Sequence, residues 1–298
     1  MPVIQQHKDE WRFGLLGKDI SYSLSPWLHN RHTVTRELGI EVPDYHIFDI
    51  ASASAVIDFL DQFVQQPKAV GLNVTAPYKT LVAQYFEAPT SAVNTVYRTR
   101  AQQFQACSTD PIGFIQALQQ LQGFHPNQIT HMVFLGNGGS VLSLLEWLSH
   151  HPTHFPKLTK VSLHRRHAHK DHLLKNLESE KLPFYLQEFS PSALQQSLQE
   201  APAHTLLVQA TSAPHQGNSL QRFTSALDGF SGFFYDLCYS PPSILYQQHA
   251  RSYPQRALSG GGMLIEQARA SQQLWWHTSL SHASMRAVLR TYTHTGEI

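Results

Sequence analysis

Short apolar runs alternate along this chain with segments whose apolar positions recur at helical spacing, the pattern expected when helices cover a mostly parallel sheet. The predicted fold class is therefore α/β. Phe13-Gly14-Leu15-Leu16-Gly17 reads as a buried strand. Ser25-Pro26 then offers an N-cap followed by proline at the first helical position, predicting a helix to about Leu38 that stops at Gly39. Further strands are predicted at 42–48, 69–74 and Thr95–Arg98, with a helix over 52–64. Taken alone, Lys79 would read as a surface lysine opening a helix, and Pro111 opens another helix that ends near Gly123.

After the turn-prone stretch Gly123-Phe124-His125-Pro126-Asn127 the pattern restarts as a clearer βαβ unit. His131–Leu135 is a strand, 136–140 a glycine turn, 141–148 a helix and 159–163 the next strand. Later strands are predicted at Thr205–Gln209 and 232–237. The last 40 or so residues carry two helical patterns, Gly261–Trp276 and 281–291, with no strand of their own, so they are expected to pack on the first domain.

At 298 residues the chain has room for two domains, each with its own core. A formal net charge of +1 gives no long-range field that would attract nucleic acid or an anionic membrane, so the expected partner is a small molecule. Cys107 and Cys238 lie far apart and form no CxxC, which argues against a disulfide scaffold or zinc ribbon and for a reducing compartment. The N-terminal stretch has no apolar run of signal-peptide length, and no segment reaches the ~18 apolar residues of a membrane span. The expectation is a cytoplasmic protein, monomeric or homodimeric.

Gly136-Asn137-Gly138-Gly139-Ser140 follows an apolar strand and opens a helix. Missing side chains let the backbone turn tightly and approach a pyrophosphate, while the free N–H groups of the helix start favour its negative charge. Val141 stands where the third glycine of the full fingerprint would be; a glycine turn that merely joins strand to helix is the alternative. The next strand ends in His164-Arg165-Arg166, followed by Lys170, with no carboxylate before Asp171. An acid there would suit the ribose 2′-hydroxyl of NAD, whereas cations suit the 2′-phosphate of NADP. A solvated basic turn is the alternative reading.

Three further segments carry polar groups where strands should end, which in an open α/β sheet is where ligands bind. They are Ser21-Tyr22-Ser23-Leu24-Ser25-Pro26, Asn73-Val74-Thr75-Ala76-Pro77-Tyr78-Lys79 and Thr109-Asp110-Pro111-Ile112-Gly113. Neighbouring hydroxyls can donate to one carboxylate, and a lysine paired with a carboxylate can give and take a proton. In order and spacing these segments resemble the shikimate dehydrogenase family: SxSP at 23–26, NVTxPxK at 73–79, AVNT at 92–95, TDxxG at 109–113, GxGG at 136–139, ATS at 210–212, YDxxYxP at 235–241 and GMLxxQ at 262–267.

The resemblance implies an N-terminal α/β substrate domain, 1–112 plus 258–298, and a Rossmann-like NADP-binding domain, 113–257, with reversible NADPH-dependent reduction of 3-dehydroshikimate to shikimate and no metal. It implies that Ser23 and Ser25 hold the substrate carboxylate and that Thr75, Asn94, Tyr239 and Gln267 help bind the ring hydroxyls. Lys79 would be the general acid and base, oriented by Asp110, and both would also contact substrate. The nucleotide would be held by Gly136, Asn137, Gly138, Gly139, Ser140, His164, Arg165, Arg166, Thr211, Leu237 and Gly260. Gln209-Ala210-Thr211-Ser212-Ala213-Pro214 departs from the family's NATSxG, as HRR does from its NRT, and Ser259 stands before Gly260. The alternatives are an NAD-linked quinate/shikimate dehydrogenase and a non-catalytic sensor of a cyclic hydroxy acid or nucleotide.

His150, His151, His154, His164, His167, His169 and His172 crowd one stretch, but their spacing fits no metal motif, and a solvated polar loop is expected. Trp275-Trp276 is expected to be core, and Cys238 to pack without nucleophilic chemistry.

Overall fold

The computed structural model describes residues 12–166, 183–214 and 220–292. The chain folds as two compact units, residues 1–113 with 264–298 and residues 114–263. Lys170, Asp171, His167, His169 and His172 lie outside the described residues.

The first unit is built on a five-stranded sheet in the order β2-β1-β3-β4-β5. β1 (Phe13–Gly17) is buried at every position and pairs in parallel with β2 (His46–Asp49) and β3 (Gly71–Val74). β2 is shorter than predicted: Val42 is buried but lies outside the strand, and the next residue, Pro43, has no N–H for a ladder. Between β1 and β2 stand two helices where one was predicted, α1 (Ser25–Leu28) and α2 (Arg31–Leu38). The break falls at Asn30, whose side chain caps α2 by accepting from the N–H of Thr33; Gly39 ends α2 at φ 68°. Ser25 is the first residue of α1 and not its N-cap; its own N–H donates to Ser23 Oγ.

α3 (Ala53–Val64) is capped by Ser52 and buries Val56, Phe59, Leu60 and Phe63, the spacing of one helical face. That face packs with Leu16, Phe48, Leu72 and Val96 into the core of this unit. α4 (Lys79–Tyr85) follows β3. β4 (Thr95–Arg98) and β5 (Phe104–Cys107) form an antiparallel hairpin on β3, so the sheet is mixed. Sequence reading passed over β5: Phe104-Gln105-Ala106-Cys107 is a short edge strand that exposes a glutamine and has no apolar run. α5 (Asp110–Leu118) starts as predicted but ends at Leu118, short of Gly123.

The second unit holds a parallel six-stranded sheet in the order β11-β10-β9-β6-β7-β8. β6 (His131–Leu135) leads through Gly136 into α6 (Gly139–His150), then β7 (Lys160–Arg165) and β8 (Phe184–Glu188). α7 (Pro191–Gln199), β9 (Thr205–Gln209), β10 (Phe233–Asp236), α8 (Ile244–Ser252) and the short β11 (Ala257–Leu258) complete it. From one edge, β8, β7, β6, β9, β10 and β11 give the doubly wound order with its reversal at β6 and β9. The core is filled by Val133, Leu135, Leu207, Phe223 and Phe234 with Leu194 and Leu198 of α7.

α9 (Gly261–Trp276) and α10 (His282–Tyr292) follow, and residues 264–298 belong to the first unit. Trp275 is buried there, donating from Nε1 to the Val96 carbonyl at 2.9 Å and meeting Phe13 edge-on. Among the described residues, no helix is long and apolar enough to cross a membrane.

Candidate active site

In the first unit, topology brings distant parts of the chain to one edge of the sheet. β3 runs one way, β4 back, and β5 forward again. The end of β3, the start of β4 and the end of β5 therefore share an edge, which gathers Thr75 and Lys79 after β3, Asn94 before β4, and Thr109 and Asp110 after β5. β1 ends at the same edge, and Ser23 and Ser25 follow it.

Lys79 Nζ donates to Asp110 Oδ2 at 2.6 Å, with only 12% and 5% of the two side chains exposed. Lys79, which taken alone would pass for a surface lysine, thus lies in a largely buried ion pair. Asp110 opens α5, where the helix dipole favours a carboxylate. Its other oxygen accepts from Asn94 Nδ2 at 2.8 Å, and the same amide lies 2.9 Å from Thr109 Oγ1 and 3.0 Å from Gln267 Oε1. Asn94 Oδ1 accepts from the Thr109 N–H at 2.7 Å and from Thr95 Oγ1 at 3.0 Å. Three acceptors surround two N–H groups, so one acceptor is exchangeable for a ligand hydroxyl.

A second polar layer, unremarked in the sequence, supports the first. Ser271, one turn after Gln267 on α9, lies 3.2 Å from Asn73 Nδ2, 2.8 Å from Thr95 Oγ1 and 3.4 Å from Thr109 Oγ1. Asn73 also accepts from the Tyr45 hydroxyl at 2.8 Å. His29 is fully buried and stacks on Tyr45, and burial drives its pKa down to about 3, so it is neutral. Gln267, Ser271 and Trp275 recur every four residues, so one face of α9 meets β3 and β4 along its length. That polar recurrence was the available signal.

In the second unit, the predicted nucleotide residues converge on the carboxyl edge of the parallel sheet. Gly136 adopts φ +116°, and a side chain there would meet Thr211 at 3.0 Å, so the turn admits only glycine. Gly138 caps α6 with no side-chain bond, and a Cβ on it would meet nothing within 4 Å. Asn137, Gly139 and Ser140 share that turn and are partly exposed. Thr211 is held by Gln209 Oε1, which accepts from its N–H at 2.6 Å and its hydroxyl at 2.8 Å. Gln209 Nε2 donates to Asp236 Oδ1 at 3.2 Å, and the Leu237 N–H donates to the Gln209 carbonyl. The glutamine that departs from the family motif thus ties Thr211 to the end of β10. Gly260 abuts the same place: a Cβ on it would lie 2.4 Å from the Leu237 carbonyl oxygen. Tyr239 follows two residues on, half-buried.

Asp236 is wholly buried, and desolvation raises its carboxyl to about 6 despite N–H groups donated by Ser243, Cys238 and Gln209. Cys238 is a free thiol whose pKa burial pushes up, as befits a packing role. Burial raises Cys107 likewise, to about 12.

One predicted nucleotide residue is corrected. His164 belongs to the interior of β7: it is fully buried, its Nδ1 lies 3.0 Å from the Glu188 carbonyl and its Nε2 3.1 Å from Ser197 Oγ. Desolvation lowers its pKa, so it offers no positive charge to a phosphate. Arg165 is half-buried at the end of β7, and Arg166 is exposed with its guanidinium 4.8 Å from the Phe189 ring centroid. Among the described residues, no group of three or more His, Cys, Asp or Glu side chains comes together as a metal site.

A family profile described as the shikimate dehydrogenase substrate binding domain matches residues 15–96. The NADP(+) shikimate dehydrogenase of Chlorobium phaeobacteroides is 29% identical, the match covering 93% of this chain and 95% of that protein. That of Bacillus subtilis is 25% identical over the same shares of the two chains. Among solved structures, shikimate 5-dehydrogenase from Listeria monocytogenes, crystallised with shikimate and NAD, superposes with a TM-score of 0.72 at 22% identity, covering 93% of this chain and 95% of that one.

Proposed function

Because the chain belongs to the shikimate dehydrogenase family, we propose that it is a cytoplasmic NADP-dependent oxidoreductase that reversibly reduces 3-dehydroshikimate to shikimate, with Lys79 as general acid and base. The observation that carries this reading is the contact of Lys79 with Asp110, largely withdrawn from water and braced by Asn94.

NADPH, when bound, supplies hydride but no proton. The alkoxide charge that develops on the ketone oxygen as its carbon is reduced would be costly in a site of low dielectric, so a proton must be delivered to that oxygen as charge develops. Lys79 Nζ is the group assigned to this. Asp110 holds the ammonium in place, and Asn94 holds Asp110, so the donor is fixed before substrate arrives. In the oxidative direction Lys79 takes the hydroxyl proton back. Ser23 and Ser25 are assigned to the substrate carboxylate, and Thr75, Asn94, Tyr239 and Gln267 to ring hydroxyls, Asn94 exchanging one of its three acceptors.

The nucleotide fits the second unit on structural grounds. Gly138 leaves open space beside the exposed start of a 12-residue helix, where N–H groups can meet a pyrophosphate. Gly136, Gly138 and Gly139 would admit it, with Asn137, Ser140, Thr211, Leu237 and Gly260 around it. Arg165 ends and Arg166 follows β7, the strand whose end faces the adenosine ribose in this topology, which favours a 2′-phosphate.

The test follows NADP reduction by absorbance with shikimate, then with quinate and with NAD, for the parent and Lys79→Ala. Turnover is expected to fall by ~10²–10⁴-fold, while shikimate affinity changes only a few-fold. Unchanged turnover in Lys79→Ala would falsify the assignment. Faster turnover with NAD and quinate would favour the quinate-linked alternative. Shikimate binding with no turnover would favour a sensor.

A further inference from the structure

Removing His164 from the basic turn leaves a phosphate site short of charge, and the structure supplies a replacement from elsewhere in the chain. Arg222 lies in the short 3₁₀ segment Gln221–Leu227 that follows β9. Its guanidinium is 5.8 Å from the Phe189 ring centroid and 4.9 Å from that of Phe223, with Nη2 3.5 Å from the Phe189 carbonyl oxygen. Phe189 follows directly on β8, and the ring that receives Arg222 is the one that receives Arg166, at 4.8 Å. All three residues therefore stand beyond the carboxyl ends of parallel strands, the edge at which dinucleotides bind.

Both guanidiniums are exposed, and neither is paired with a carboxylate among the described residues. Two like charges held on one aromatic ring repel at a separation that salt screens only in part. A dianion that both can reach would relieve that repulsion, and guanidinium is the side chain whose geometry suits phosphate oxygens. Glu188, exposed beside Phe189, supplies the opposing field that such a pair must overcome.

Resting on the NADP reading above, we infer that Arg222 is a specificity-determining residue: with Arg166 it holds the 2′-phosphomonoester of the adenosine ribose over Phe189. The turn after β7 supplies one cation, and the segment after β9 supplies the other.

Full-length parent, Arg222→Ala, Arg222→Lys and Arg166→Ala are titrated with NADPH and NADH by fluorescence, and NADPH is displaced with 2′-AMP or 5′-AMP. Loss of one charged contact is expected to weaken NADPH and 2′-AMP by about ten- to a hundredfold in Arg222→Ala, with NADH and 5′-AMP changed less than about threefold, and Arg222→Lys to recover part of the loss. Melting temperatures are expected to stay close to the parent's, since the guanidinium is exposed. Equal weakening of NADPH and NADH overturns the clamp, as does no weakening at all. If the parent itself prefers NADPH and Arg222→Ala keeps that preference, the clamp fails while the NADP reading stands. If the parent binds NADH as tightly as NADPH, both fail.

Discussion

Asn94 offers the most demanding test of the site, because the structure assigns it a job that two variants separate. Its side chain is 3% exposed and serves Asp110 and the backbone of Thr109. In Asn94→Leu, close in volume and unable to hydrogen-bond, the Thr109 N–H and Asp110 Oδ1 are left buried without this partner. Thr95 and the Thr109 hydroxyl keep Ser271, and Gln267 is half-exposed and can turn to water. Each orphaned group costs ~1–3 kcal/mol, the charged one at the upper end, so a loss of about 3–5 kcal/mol is expected. At ~2–4 °C per kcal/mol for a unit of this size, the first transition should drop by roughly 6–20 °C.

Asn94→Asp instead keeps the acceptor for Thr109 but sets a second carboxylate where the amide met Asp110. Like charges at that distance do not both ionise readily, so the added pair retains a proton to higher pH than in the unfolded chain. A folded pKa raised above the unfolded value contributes stability at low pH and loses it as pH rises through the raised value. Asn94→Asp should therefore approach the parent's melting temperature near pH 5 and fall progressively below it toward pH 8. Calorimetry across pH, with turnover measured alongside, checks both variants. A melting temperature within 2 °C of the parent for Asn94→Leu, or a difference for Asn94→Asp that does not change with pH, would refute the assigned bonding.

Further outcomes follow from the second unit. Gly136→Ala forces an L-residue into φ +116° against Thr211 and should cost roughly 1–3 kcal/mol of stability; Gly138→Ala, whose Cβ meets nothing, should leave melting unchanged yet weaken NADPH binding by titration, and equal melting of the two variants would contradict the turn geometry. Asp236, with its carboxyl raised to about 6 by burial, contributes stability below its unfolded pKa that is lost as pH rises from about 4 to about 6. Denaturant titrations should show that window in the parent and a flatter profile in Asp236→Asn; identical profiles would exclude Asp236 as its source. Gln209→Asn restores the family residue but shortens the arm that reaches both Thr211 and Asp236, so nucleotide affinity should fall; a gain would mean that the longer side chain is not positioning the loop.

What was legible in the chain divides along a physical line. Elements with one uniform environment announced themselves: Phe13–Gly17 is apolar because both faces are covered, and α3 repeats apolar residues at the spacing of one face. β5 and the division of α1 from α2 did not, since the first is an edge strand with a polar outward face and the second turns on one local bond, from Thr33 to Asn30. Motif positions were likewise legible one segment at a time, whereas the roles of Ser271 and Thr109 arise only when α9 meets the ends of β3 and β5 across 198 and 162 residues of chain. His164 shows why residue class misleads at such places. A histidine beside two arginines reads as charge, yet Ser162 and His164 alternate within the buried stretch 161–164 of β7, and that spacing puts both on one covered face of the sheet, where Ser197 on α7 meets the imidazole. Arg222 is the converse: isolated in sequence, it acquires a partner only because β8 and β9 end at the same edge of the sheet. Charge available to a ligand is thus set by which strand ends coincide, and counting cations in the turn after β7 overestimates by one on that turn while missing one on another.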